Sequence, residues 1–123
     1  MDNGKKILLV DDEPNVVKSL AFVLRKEGYD VSSAANGEDA MTMIQESKPN
    51  LMFLDVMMPK KNGYELCQEI KSDSSLRDIH IIMLTAKGQE TDREKGLNAG
   101  ADEFMTKPFS PMVIVDKVKE LLG

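Results

Sequence analysis

Ile7-Leu8-Leu9-Val10-Asp11-Asp12 is a short apolar run that ends abruptly on two acidic residues, and the same pattern returns in Leu51-Met52-Phe53-Leu54-Asp55. Short continuous apolar runs bounded by polar residues are typical of strands buried on both faces of a parallel sheet. Ligands bind beyond the carboxyl ends of such strands, where the strand order reverses. If the two strands are neighbours, Asp11, Asp12 and Asp55 converge at one edge of the sheet.

Three carboxylates at one edge need a positive partner. Like charges at close range repel, and their pKa values rise unless a cation lies among them. Because hard divalent cations prefer oxygen ligands, the acidic set predicts a metal site.

Two further runs end at the same edge with different chemistry. The run from 79 to 84 ends on Thr85, and the run from 102 to 106 ends on Lys107, which Pro108 follows. Carboxylates suit a metal ion, whereas a hydroxyl and an ammonium suit the oxygens of a phosphoryl group. The edge is therefore predicted to hold a metal and a phosphoryl group together.

Strand and helix patterns alternate five times, which predicts an α/β fold with a parallel sheet and helices on both faces. Pro14 suits the first turn of the first helix, and Gly28 is placed to end it. We expect a loop from 56 to 63, with Asn62-Gly63 as a turn signal. The helix from 89 to 99 has few apolar residues and is predicted to be the weakest, whereas Ser110 is a predicted N-cap of the last helix.

Length and composition place limits on the class of protein. The 123 residues predict a single domain over 1–123, with 41% apolar and 30% charged residues. The net charge of −5 argues against direct binding of nucleic acid or a membrane. A lone cysteine suits a reducing compartment, and no apolar stretch approaches the ~20 residues that span a bilayer. We therefore expect a cytoplasmic protein; Gly123 stands where a linker to another domain could begin.

Five motifs in order resemble the receiver domain of two-component response regulators. They are Leu9 to Glu13, Asp55 to Pro59 with Asn62-Gly63, Leu84 to Ala86, Gly100 to Asp102, and Lys107 to Phe109. The resemblance covers nearly the whole chain, and it implies a flavodoxin-like, doubly wound sheet in the order 2-1-3-4-5.

The resemblance also implies a function, a phosphorylation-activated signalling switch without an external substrate. Asp55 would accept a phosphoryl group from a sensor histidine kinase or a histidine phosphotransfer protein. Asp12, Asp55 and the main-chain carbonyl of Met57 would hold Mg²⁺, or alternatively Mn²⁺, and Asp11 would assist through water.

The remaining implied roles concern the phosphoryl oxygens and the response. Thr85 would hydrogen-bond one oxygen, and Lys107 would pair with another. Thr85 and Phe104 would act as the switch. The role of Phe104 rests on the resemblance alone, because the strand alternation equally allows Phe104 as a core residue.

From Leu84 to Pro111 the sequence is especially similar to receivers that carry a winged-helix DNA-binding domain. Such receivers dimerise through helix 4, strand 5 and helix 5 with charged pairs. Here Val113 stands where that group usually has an acid, and Met112 precedes it. We hypothesise an apolar docking or dimer surface at these two residues, unless the loop after Thr85 covers them.

The sequence also allows other roles for single residues and other classes of protein. Asp12 could simply begin the first helix, His80 is expected to be structural, and Cys67 is expected to be a small buried hydrophobe. A phosphatase of the haloacid dehalogenase type would have a second acid where this chain has Met57. A flavin-binding module would need a phosphate-binding loop where this chain has Asp11-Asp12-Glu13. A degenerate receiver would serve only as a binding scaffold.

Overall fold

The sheet has five parallel strands in the order β2-β1-β3-β4-β5, as predicted. The computed structural model describes residues 4–56, 62–86, 90–107 and 110–122. The strands are β1 (Lys6–Val10), β2 (Asp30–Ala34), β3 (Leu51–Asp55), β4 (His80–Ala86) and β5 (Glu103–Lys107). The helices are α1 (Pro14–Lys26), α2 (Gly37–Glu46), α3 (Gly63–Ser72), α4 (Glu90–Ala99) and α5 (Pro111–Leu122).

The side chains of the sheet divide into two apolar cores, one on each face. In β1, Ile7 and Leu9 pack with α1 and α5, whereas Leu8 and Val10 pack with α2 and α3. All five residues of β3 are buried, because helices cover this central strand on both sides. Because both faces of the central strands are covered, their sequences are continuous apolar runs. Each run ends where the strand leaves the two cores.

The helix ends follow the predicted signals. Gly28 has a φ of 97° and ends α1, a conformation that favours glycine. The hydroxyl of Ser110 accepts a hydrogen bond of 3.2 Å from the backbone N–H of Met112, as an N-cap does. In α4, Leu97 is exposed and Ala99 is buried, consistent with a weak apolar stripe. Among the helices of the described ranges, none combines the length and apolar character needed to cross a bilayer.

The loop predicted from 56 to 63 overlaps a helix at its last residue, because Gly63 already begins α3. Residues 57–61 of that prediction lie outside the described residues. Asn62 acts as the N-cap of α3, with its side-chain oxygen accepting from the N–H of Glu65 at 3.0 Å. A Cβ on Gly63 would lie 2.5 Å from the carbonyl oxygen of Asp55. Glycine is therefore needed where the helix passes the end of β3.

Candidate functional site

An acidic cluster lies at the carboxyl ends of β1 and β3. Val10 pairs with Leu54, so Asp11 and Asp55 follow at the same level on adjacent strands. Ligand oxygens of Asp11, Asp12 and Asp55 all lie within 4.8 Å of one another. Asp11 and Asp55 are buried and Asp12 is exposed, so the cluster opens to solvent on one side. The predicted convergence of the three carboxylates is thus what the structure shows.

Asp11 is the most enclosed of the three carboxylates. Its Oδ1 accepts a hydrogen bond of 2.9 Å from the backbone N–H of Glu13. Its buried Oδ2 lies 2.8 Å from the Lys107 ammonium, which is its ion-pair partner.

Lys107 is the cation of the cluster. It ends β5, and its ammonium lies 2.8 Å from Asp11 Oδ2, 3.0 Å from Glu13 Oε1 and 3.7 Å from Asp55 Oδ2. Partial burial alone would lower the pKa of Lys107, but the close contacts with Asp11 and Glu13 and the charges of Asp11 and Asp55 raise it above its usual value. The side chain is therefore a permanent positive charge beside Asp55.

Thr85 and Phe104 occupy neighbouring strands near the cluster. Asp55 pairs with Leu84, so the buried Thr85 lies one residue further along β4, at the same edge. Phe104 pairs with Met83, and its half-buried ring packs against the core that lies under α2 and α3. Met57 lies outside the described residues. The structure thus brings Asp11, Asp12, Asp55, Thr85 and Lys107 to one edge, whereas Phe104 stands three residues before the end of β5.

The cluster fits a hard divalent cation. Three carboxylates offer oxygen atoms that lie within 4.8 Å of one another, and oxygen ligands are what such a cation prefers. The single positive charge of Lys107 balances only part of the negative charge of the cluster and its neighbour, which comprise Asp11, Asp12, Asp55 and Glu13. A bound cation would relieve the remaining repulsion.

His80 and Cys67, which the sequence predicts to be structural residues, lie in surroundings that fit such roles. His80 begins β4, away from the cluster, and its Nε2 lies 2.7 Å from Glu103 Oε2. Cys67 is fully buried, and burial raises the pKa of its thiol to about 11. A thiol that stays protonated is a poor nucleophile, so Cys67 behaves as the small hydrophobe that was predicted.

Glu13 makes a contact that the sequence does not predict. It ends the Leu9 to Glu13 motif, and its carboxylate pairs with Lys107 across 94 residues of sequence. No local pattern encodes such a pair. Glu13 also flanks α1 without a side-chain cap, so the first helix does not need the side chain of Asp12 or Glu13 to begin.

Comparisons with known proteins agree with this geometry. The family profile described as "Response regulator receiver domain" matches residues 7–119. A protein of Cyanophora paradoxa named "Probable transcriptional regulator ycf27" is 50% identical over 120 residues, which are 98% of this chain and 49% of that protein. The alkaline phosphatase synthesis transcriptional regulatory protein PhoP of Bacillus subtilis is 46% identical over 119 residues, 97% of this chain and 49% of that protein.

Solved structures show the same architecture. The signal receiver domain of a signal transduction histidine kinase from Syntrophus aciditrophicus superposes with a TM-score of 0.89 at 36% identity. That match covers 97% of this chain and 90% of the other. The chain spans about half the length of the curated relatives it matches.

Proposed function

The chain belongs to the response regulator receiver domain family, and on that premise we propose that it is a phosphorylation-dependent switch whose acceptor is Asp55. The observation that carries the proposal is the position of Asp55, buried at the end of β3 with the Lys107 ammonium 3.7 Å from its Oδ2. A nucleophilic carboxylate beside a fixed cation is what transfer of an anionic phosphoryl group requires.

The proposed reaction forms one bond and breaks one. A carboxylate oxygen of Asp55 donates a lone pair to the phosphorus atom, while the phosphorus–nitrogen bond of a phosphohistidine breaks. The electron pair of that bond leaves on the imidazole nitrogen of the donor. Water later attacks the same phosphorus, which returns Asp55 as a carboxylate and releases inorganic phosphate. The phosphoryl group thus passes from the donor to Asp55 and then to water, and Asp55 returns to its starting state.

Asp11, Asp12 and Asp55 are the residues proposed to hold Mg²⁺, with the carbonyl of Met57 as a further ligand. When bound, the ion would neutralise charge on the transferring group. Lys107 does the same from the side of β5, because its ammonium already faces Asp55. Without these positive charges the acidic cluster would repel a phosphoryl group.

Thr85 is proposed to couple the chemistry to a response. It is buried one residue beyond the strand partner of Asp55, so a phosphoryl group on Asp55 would present new oxygens near its hydroxyl. A hydrogen bond to those oxygens would draw the end of β4 inward and bias the segment that leads to α4. Phe104 is proposed to respond with it from the adjacent strand β5.

The test uses acetyl phosphate and Mg²⁺ with intact-protein mass spectrometry. We expect a mass increase of one phosphoryl group, located on Asp55 by peptide mapping and abolished by a chelator. Asp55→Asn should gain no phosphoryl group. Asp78→Asn, which changes an exposed acid that pairs with Lys48, should behave as the unmodified protein does. Modification that persists in Asp55→Asn would contradict the proposal.

For the larger context, we propose that residues 1–123 form one receiver domain of a cytoplasmic transcriptional regulator that a sensor histidine kinase or a histidine phosphotransfer protein phosphorylates. The naming of the curated relatives as transcriptional regulators supports this. We also propose dimerisation through α4, β5 and α5. Met112 and Val113 of α5 are 62% and 49% exposed, and such adjacent apolar side chains are suited to an interface.

A further inference from the structure

The contact between Glu13 and Lys107 has no role in the proposed chemistry, yet it holds the cation that the chemistry needs. Lys107 Nζ lies 3.0 Å from Glu13 Oε1 and 3.7 Å from Asp55 Oδ2. The ammonium is therefore closer to a residue that takes no phosphoryl group than to the proposed acceptor.

The backbone of Glu13 is fixed where this contact is made. Its N–H donates to Asp11 Oδ1 at 2.9 Å, and its carbonyl accepts from the N–H groups of Val16 and Val17 at 3.1 and 3.2 Å. Its side chain makes no capping hydrogen bond and is free to reach Lys107. The carboxylate is thus presented to the ammonium from an ordered helix start.

The two carboxylates nearest to Lys107 differ in how easily they release it. Asp11 is buried, so separating it from the ammonium would leave a charge without compensation. The Glu13 side chain is 59% exposed, and water can replace the ammonium as its partner. A phosphoryl group on Asp55 would therefore draw Lys107 away from Glu13 and not from Asp11.

We propose, on the basis of the proposed function, that Glu13 is a positioning residue that competes with the phosphoryl group for the Lys107 ammonium. In the unphosphorylated protein Glu13 holds the ammonium back from Asp55. An arriving phosphodonor must displace it, so Glu13 weakens binding of the donor. Exposed ion pairs of this kind are broken at small cost, and the expected effect is about twofold to fivefold.

The experiment measures phosphorylation of the chain by acetyl phosphate with Mg²⁺ over a range of donor concentrations. Glu13→Gln keeps the size of the side chain and removes its charge. We expect the half-saturating donor concentration to fall about twofold to fivefold, with the maximal rate changed less. A second readout is the affinity for beryllofluoride, a phosphoryl stand-in, from ¹⁹F NMR, which should increase by a similar factor.

The Lys107→Met background, assayed at donor concentrations high enough that this variant is still modified, separates competition for the ammonium from repulsion of the donor by the charge of Glu13. If Glu13 merely repels the anionic donor, Glu13→Gln has the same effect with and without Lys107. If Glu13 competes for the ammonium, the effect disappears in the Lys107→Met background. An equal effect in both backgrounds, or no effect of Glu13→Gln on either readout, would overturn the inference. Failure of the unsubstituted chain to become phosphorylated on Asp55 would instead overturn the proposed function.

Discussion

The Lys71 ammonium of α3 lies 2.7 Å from the carboxylate of Asp102, the residue that precedes β5. Lys71 also donates to the backbone carbonyls of Arg77 and Ile79, at 3.0 and 2.7 Å. Asp102 Oδ2 accepts a further hydrogen bond of 2.8 Å from the backbone N–H of Ile81. One half-buried ion pair thus joins α3, the turn before β4 and the entry to β5.

We predict that Lys71→Met lowers the free energy of unfolding by about 2–3 kcal/mol, because the Asp102 carboxylate loses its ammonium partner and the carbonyl oxygens of Arg77 and Ile79 lose a donor. Urea denaturation is the measurement. Lys48→Met is the matched control, since Lys48 and Asp78 also form a close pair, at 2.6 Å, but both are exposed. Its unfolding free energy should hardly change, and equal losses in the two variants would contradict the prediction.

Stability in acid should depend on Glu103. Partial burial alone would raise the pKa of Glu103, but hydrogen bonds from Lys117 and His80 hold it below its ordinary value of 4.5. A lowered pKa in the folded state means that the carboxylate contributes stability above about pH 4.5, and that this contribution is lost as the pH falls through the folded pKa.

Urea denaturation of the unsubstituted chain and of Glu103→Gln between about pH 3 and pH 5 measures this contribution. The difference in unfolding free energy should be largest at the upper end of the range and shrink toward the lower end. Lys117→Met removes the hydrogen bond of 2.7 Å to Glu103 and should reduce the difference throughout. A difference that grows on acidification would show that the sign is wrong.

Magnesium should stabilise the folded chain through the acidic cluster. At about 100 times its dissociation constant, a ligand that binds only the folded state adds about 2.7 kcal/mol to the unfolding free energy. Asp12→Asn should reduce this increment, and it should stabilise the metal-free protein because it removes one of three close negative charges. Denaturation with Mg²⁺ and with a chelator measures both effects. Asp78→Asn is the control and should keep the full increment.

Val113→Lys tests the proposed dimer surface. We predict that it raises the dissociation constant of the phosphorylated dimer at least about tenfold, because each interface would receive two new positive charges where related receivers have acids. Sedimentation after treatment with a small phosphodonor is the measurement. Phe22→Lys is the control: Phe22 is 68% exposed on α1, beside Ser33 of the edge strand β2, and the opposite edge is β5. Similar weakening by both substitutions would argue against a surface at α5.

The parts of the fold that the sequence predicted are those with local signals. β1 and β3 are central strands covered on both faces, so their apolar runs are continuous and their ends are sharp. The position of Asp11 and Asp55 at one edge of the sheet therefore follows from the sequence alone. Their roles as metal ligand and acceptor remain proposals.

The parts that escaped prediction depend on ambiguous or distant signals. Asn62-Gly63 is equally compatible with a turn and with a helix start, and only the approach of Gly63 to the Asp55 carbonyl shows why the glycine is needed. The pairs of Glu13 with Lys107 and of Lys71 with Asp102 join residues far apart in sequence. Such contacts arise from tertiary structure, which no periodicity encodes.

The placement of Lys107 on β5, three strands beyond β1, has a consequence for a chain that is still being synthesised. Translation supplies every acid of the cluster before it supplies the amine, since Lys107 comes last along the chain. A nascent polypeptide that has not yet added its final strand carries the proposed acceptor Asp55 without this counter-charge. The proposed phosphoryl transfer therefore becomes possible only when the sheet has been completed.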